Sequence, residues 1–166
     1  MEQEHACWLE KRILQKEFYK KHTIPTSEFH VINSLNELKG QIDFPPAVNK
    51  LATGGYDGKG VQIIRSQEEL KSAFEGPCVV EELVPFEKEL SVIIARNKQG
   101  ETSIFPLVEM EFNPEANLVE FLFSPAQVNT QVEFEAQAIA RRIVEAADFV
   151  GLLAIELFLT HEGVLL

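Results

Sequence analysis

The stretch Thr53-Gly-Gly-Tyr-Asp-Gly-Lys-Gly60 constrains this chain more than any other, since four glycines in eight residues are costly to order inside a helix or a strand. On either side, 47–51 (Ala-Val-Asn-Lys-Leu) and 61–65 (Val-Gln-Ile-Ile-Arg) have the β-branched, apolar character of strands. The glycines therefore join strand to strand, and a sheet must be built around them. Two phosphate-binding templates are excluded. The stretch is not Gly-x-Gly-x-x-Gly, and Thr53 stands where a P-loop needs its first Gly while Gly60 replaces the Ser or Thr after the Lys. No helix follows, so no helix N-terminus supplies a positive dipole. Two readings remain. The stretch is ordinary hairpin geometry, or it is a flap whose backbone N–H groups approach anionic oxygens, with Lys50 on the first strand as a point charge for a phosphate.

The rest of the chain is long and apolar enough to enclose such a loop in a folded unit. Its 166 residues are 45% hydrophobic and 25% charged, a globular composition. A chain of this size buries roughly 70% of its unfolded surface without disulfides or metals. A formal charge of −11 opposes approach to a phosphate backbone, so no nucleic-acid partner is expected. Cys7 and Cys78 are far apart in sequence and read as reduced thiols. No apolar run reaches membrane-spanning length, and Met-Glu-Gln-Glu-His lacks the positive charge of a secretion signal. The expectation is a cytoplasmic protein with no membrane partner.

Leu9, Ile13, Leu14 and Phe18 recur at helical spacing and predict an amphipathic helix over 4–21, stopped by Pro25. Ser34 with Glu37 and Ser66 with Glu69 fit the capping box and predict two short helices. After Gly76-Pro77, a strand over 78–84 breaks at Pro85. Strands at 90–96 and 102–112 form a hairpin about 97–100, and another strand spans 118–123. Ala136, Ile139, Ala140, Ile143, Ala147 and Val150 trace one face of a long helix that Gly151 can terminate. A buried strand over 152–160 leads through His161-Glu-Gly163 into Val164-Leu165-Leu166. An ending inside an apolar strand leaves pairing unfinished, so a piece of a larger fold is expected.

Acids cluster around the break at Pro85. Glu81, Glu82 and Glu89 belong to a hinge strand that offers backbone groups to a purine edge and a carboxylate to a ribose hydroxyl, or they are solvated acids on an edge strand. Glu156 is the one ionisable residue in Leu152-Leu-Ala-Ile-Glu-Leu-Phe-Leu159. Buried, its carboxylate needs a cation, for which Mg²⁺ with nucleotide phosphates is suited; if strand alternation turns it to solvent, it needs none. His5, His22, His30 and His161 lie in polar or terminal surroundings without a serine elbow or a Cys partner, so a hydrolytic triad has no support.

In order, Lys50, the loop Thr53 to Gly60, Val80-Glu-Glu-Leu-Val84, Phe86-x-x-Glu89-x-Ser91 and Ala154-Ile-Glu156 resemble the ATP-grasp domain of the N5-carboxyaminoimidazole ribonucleotide synthase family. The resemblance implies an α+β ATP-grasp fold of two lobes with mainly antiparallel sheets, incomplete at its C-terminal end. The small lobe would span 22–83, and 1–21 with 84–166 would form part of the large lobe. An amino-terminal nucleotide-fold domain and a carboxy-terminal region would be absent, and with them an Asn-Glu pair that carries a second metal ligand. The implied reaction is ATP-dependent carboxylation of 5-aminoimidazole ribonucleotide by bicarbonate through carboxyphosphate, with ATP and Mg²⁺ bound and a homodimer as the full-length protein.

The resemblance also implies residue roles. Arg12 and Lys50 contact ATP phosphates, and Gly55, Tyr56, Asp57, Gly58, Lys59, Gly60 and Val61 fold over them. Glu81, Glu82, Leu83 and Val84 hold adenine through backbone groups, and Glu89 holds the ribose. Tyr56, Asp57 and Lys59 face the aminoimidazole, with Asp57 orienting or deprotonating its amine, and Glu156 ligates Mg²⁺. Met110 and Phe112 stand where relatives often have Asn-x-His. The rival readings are another ATP-grasp carboxylase or ligase, and a nucleotide-binding module without catalysis.

Overall fold

The computed structural model describes residues 11–34, 37–38, 46–53, 60–66, 68–74, 76–113 and 118–166. The chain divides into two compact units, one of Met1–Lys21 with Thr26–Val84 and the other of His22–Pro25 with Pro85–Leu166.

In the first unit, helix α1 (Arg12–Lys21) precedes β1 (Phe29–Ile32), β2 (Ala47–Leu51), β3 (Val61–Ile64) and β4 (Cys78–Glu82). The strands form an antiparallel sheet in the order β1-β4-β2-β3. One face carries the core of Ile32, Leu38, Ala47, Ile64, Leu70, Ala73, Cys78 and Val80. Burial pushes the Cys78 thiol up, so it stays protonated within that core.

Four features depart from the expectations. β1 was not foreseen, because four residues are too few to display a period of two; its presence makes β4 an interior strand rather than an edge. β4 stops at Glu82, where the Leu83 N–H turns to the Pro46 carbonyl at 3.1 Å. Leu14, assigned to the apolar stripe of α1, is 39% exposed, while Lys16 is the buried residue of that helix. Helix α1 belongs to the unit of the first sheet, not to the other lobe, since Arg12 donates from its backbone to the Ala52 carbonyl and Lys16 reaches β4.

Each expected capping box forms in its Ser half, while the Glu carboxylate takes the N–H of the residue before the Ser rather than that of the Ser itself. The Ser66 hydroxyl accepts from the Glu69 N–H at 3.4 Å, and the Glu69 carboxylate accepts from the Arg65 N–H at 2.8 Å; the turn they start is a 3₁₀ helix over Glu69–Ser72. Ser34 and Glu37 repeat the arrangement with the Asn33 N–H. Beyond Glu37 and Leu38, the rest of the helix expected there lies outside the described residues.

The second unit holds β5 (Phe86–Arg96), β6 (Thr102–Ile104), β7 (Val108–Asn113), β8 (Leu118–Phe123), helix α2 (Thr130–Ala146) and β9 (Gly151–Thr160). β9 pairs along the whole of β5, β6 and β7 share its other edge, and β8 extends the sheet beyond β7. The strand expected over 102–112 is interrupted at 105–107 because Pro106 has no N–H for the ladder. Leu90, Val92 and Ile94 of β5 and Ile155, Leu157 and Leu159 of β9 are buried on one face, and α2 packs on β5 with Ala136, Ala140 and Ile143 inward.

Asn129 caps α2 by accepting from the Val132 N–H at 2.9 Å. The helix ends before Gly151. Asp148 takes the left-handed conformation (φ 45°), its N–H bonds the Glu145 carbonyl, and the Phe149 N–H bonds the Val144 carbonyl in a Schellman pattern. Gly151 (φ 137°) instead opens β9. β9 is buried on one side only: Leu152 and Glu156 are exposed, which corrects the expectation of a buried strand. Among the described residues, no helix is long and apolar enough to cross a membrane.

Candidate functional site

In the first unit, the sheet face opposite the core carries charge. Register places Glu81 opposite Val48 and Phe29, and Lys50 opposite Val79, so Glu81 and Lys50 are diagonal neighbours on one face. Lys50 Nζ lies 3.0 Å from Glu81 Oε1. Lys16 crosses from α1 to place its Nζ 2.9 Å from Glu81 Oε2. The same ammonium donates to the Thr26 hydroxyl at 2.6 Å and the Ser27 hydroxyl at 3.1 Å, and Ser27 donates to Glu81 Oε2 at 2.8 Å.

Burial alone would raise the Glu81 carboxyl, but Lys50, Lys16 and the hydrogen bonds from Lys16 and Ser27 outweigh it and hold Glu81 below its ordinary value. Burial lowers Lys16, Glu81 opposes that, and Lys50 adds to it; the net direction is down. Tyr19 is pushed up by burial and by the nearby Glu81 carboxylate. Glu81 is therefore neither solvated nor on an edge, contrary to the second of the two readings drawn from the sequence.

The glycine-rich loop joins β2, the strand of Lys50, to β3. Its base is closed by the Leu51 N–H on the Gly60 carbonyl at 2.9 Å, with Lys50 opposite Val61 and Gly60 in the left-handed region at φ 78°. Arg12 Nη1 donates to the Leu51 carbonyl at 2.7 Å, so its guanidinium sits at the loop base beside the strand of Lys50. Gly55, Tyr56, Asp57, Gly58 and Lys59 lie outside the described residues. After β4, the Glu82 and Leu83 N–H groups are bound to the Glu28 and Pro46 carbonyls at 2.9 and 3.1 Å. Those two donors are engaged within the first unit.

In the second unit, the sheet face away from α2 gathers the remaining candidates. Glu89 is opposite Phe158 and Met110, and Ser91 is opposite Glu156, so Glu89 and Glu156 are diagonal neighbours on that face. Phe158 stacks on Phe86 with centroids 4.6 Å apart. Glu156 is exposed rather than buried, so the desolvation argument for a bound cation does not apply to it. Among the described residues, no three His, Cys, Asp or Glu side chains cluster as a metal site. One or two carboxylate oxygens nonetheless suit Mg²⁺, which retains waters and takes its other ligands from phosphates.

Lys16, Thr26 and Ser27 were missed in the sequence. A signal existed: Ile13, Lys16 and Tyr19 repeat every three residues, and Lys16 lies one turn from Arg12 on the helix.

The ATP-grasp domain family matches residues 17–166 of the chain. The N5-carboxyaminoimidazole ribonucleotide synthase of Synechococcus elongatus is 33% identical over 150 residues, which cover 87% of this chain and 38% of that protein. The crystal structure of the N5-carboxyaminoimidazole ribonucleotide synthetase from Thermotoga maritima is similar at 36% identity and a TM-score of 0.80, covering 95% of this chain and 40% of its own. An Aspergillus clavatus N5-carboxyaminoimidazole synthase in complex with ADP and 5-aminoimidazole ribonucleotide is 25% identical with a TM-score of 0.83, over 98% of this chain and 44% of its own. The chain thus spans about two-fifths of the length of these relatives. With a paired-lysine strand leading into a glycine-rich loop, a second antiparallel sheet carrying acids, and a family match over nearly its whole length, the chain belongs to the ATP-grasp family.

Proposed function

We propose that the protein, in its complete form, uses ATP to carboxylate 5-aminoimidazole ribonucleotide, as its relatives' names describe. The observation that carries this reading is the likeness, over nearly all of the chain, to an enzyme that binds ADP and 5-aminoimidazole ribonucleotide. A bicarbonate oxygen attacks the γ-phosphorus, the bond to ADP breaks, and carboxyphosphate forms. The amine of the ribonucleotide then attacks the carboxyl carbon, phosphate leaves, and the amine loses a proton.

Phosphoryl transfer of this kind needs positioning and charge neutralisation more than covalent help. Lys50 and Arg12 supply positive charge to the phosphates at the loop base, and residues 55–61 fold over them and exclude water from a hydrolysable acyl phosphate. Carbonyls of 81–84 and the Val84 N–H meet the adenine edge, and Glu89 meets the ribose. Tyr56, Asp57 and Lys59 face the aminoimidazole, and Asp57 takes the proton its amine loses. Glu156 would hold Mg²⁺ together with the phosphates, and the ion supplies neutralisation of the charge that develops on the γ-phosphoryl oxygens. A cytoplasmic setting and a homodimer of the complete protein go with this reading.

Phosphate release by the protein with ATP, Mg²⁺, bicarbonate and 5-aminoimidazole ribonucleotide, each omitted in turn, tests it. Release that needs all four is the expected result. Release driven equally by an unrelated amine, or ATP binding with no turnover, would point to another ATP-grasp ligase or to a binding module.

A further inference from the structure

Two lysines share one carboxylate in the first unit, and they are not equivalent. The Lys16 ammonium has three acceptors around it, Glu81, Thr26 and Ser27, which matches the three N–H donors it owns. Its side chain is 11% exposed, against 24% for Lys50. Lys50 is drawn to Glu81 by the single contact at 3.0 Å. The trio carries one net positive charge, and the more exposed lysine is the one placed to present it.

We propose that Lys16 is a positioning residue that neutralises Glu81 from the helix side, so that the charge of Lys50 remains available to an anionic ligand such as a triphosphate. This rests on the reading of Lys50 as a phosphate contact given above. Without Lys16, Lys50 is the remaining cation that pairs with Glu81 among the described residues. A buried carboxylate binds its one remaining counter-charge more strongly, and an ammonium so held contributes less to a phosphate. Lys16 itself never touches the nucleotide; its effect passes through Glu81.

The test is equilibrium binding of ATP and of adenosine to the protein and its variants. Lys16→Met is expected to weaken ATP about tenfold, the scale of a charge-assisted contact, while adenosine, which has no phosphate, stays within about twofold. The Lys16→Met/Glu81→Gln double variant frees Lys50 again and should return ATP affinity to within about threefold of wild type, a recovery that a purely structural role of Lys16 does not produce. If Lys16→Met does not fold, Lys16→Gln, which keeps a hydrogen-bond donor and loses the charge, carries the same expectation.

Three results overturn the proposal: ATP affinity unchanged in the single variants, ATP and adenosine weakened together, or no recovery in the double variant. Lys50→Met separates the two levels. If it weakens ATP while Lys16→Met and Lys16→Gln do not, the positioning role alone falls; if Lys50→Met binds ATP as tightly as wild type, the phosphate contact falls and the proposal with it.

Discussion

Glu81 and Glu156 are both acids in strands of antiparallel sheets, and the fold treats them in opposite ways. Glu81 is 6% exposed and enclosed by Lys16, Lys50 and Ser27. Glu156 stands exposed on the face of the second sheet that carries Glu89. An acid whose charge is answered inside the protein belongs to the architecture, and its loss leaves the buried Lys16 and the half-buried Lys50 without the carboxylate they share. An acid in water costs the fold nothing to keep charged, and its worth must come from what it binds.

Replacing each acid breaks or sharpens this contrast, and the largest effect is expected at Glu81. Glu81→Ala should destabilise the protein by about 3–5 kcal/mol, the scale for removing one partner of a buried ion pair; urea unfolding measures it. A loss under about 1 kcal/mol would mean that water answers the lysines as well as Glu81 does. Glu156→Gln should leave the unfolding midpoint unchanged while Mg²⁺-dependent phosphate release falls about 100-fold, as expected for a lost ligand to a catalytic cation. Wild-type turnover in that variant would remove Glu156 from the site.

Smaller effects probe the same division. The stability of the second unit is expected to reside in its helix rather than in its exposed acids, so Asn129→Ala should cost about 1 kcal/mol by leaving the Val132 N–H without its cap. Hydrogen exchange at the first turn of α2 reports it. The smallest effect is on the acid side of the pH profile. Because Glu81 is held below its ordinary value in the folded state, its contribution is fully present above the unfolded carboxyl value, about 4.3, and is lost as pH falls through the folded one. Urea midpoints between neutral and acid pH should therefore fall less steeply for Glu81→Gln than for wild type. Equal slopes would show that Glu81 is not depressed by its lysines.

Much of the fold was legible in the sequence. β2 and β8 have the expected limits, because each is a run of strand-forming residues bounded by turn residues. The Ser34 and Ser66 hydroxyls accept from the Glu37 and Glu69 N–H groups as expected, because those partners lie three residues away, within reach of a single turn. Pro106 split a strand for a reason visible in its chemistry, although the strand had been read as continuous. The candidate site was legible as a set of residue types, in Lys50, the glycine-rich loop, Glu81, Glu89 and Glu156, and the contacts of Glu81 with Lys16 and Lys50 were not.

Local chemistry acts over one to four residues, and that is the range over which the sequence by itself determined this protein: the glycine-rich connection between two strands, the caps, the period of α2 and the acids on either side of Pro85. Tertiary structure decided which acid is buried. Lys16 and Glu81 are 65 positions apart, and Lys50 and Glu81 are 31 apart, so no window of sequence contains their meeting. Their pairing depends on β2 joining β4, which makes Lys50 and Glu81 diagonal neighbours, and on α1 crossing the face where Glu81 emerges. Strand alternation likewise left Glu156 with two allowed directions, and only the packing of α2 against the opposite face of the sheet turned it to solvent.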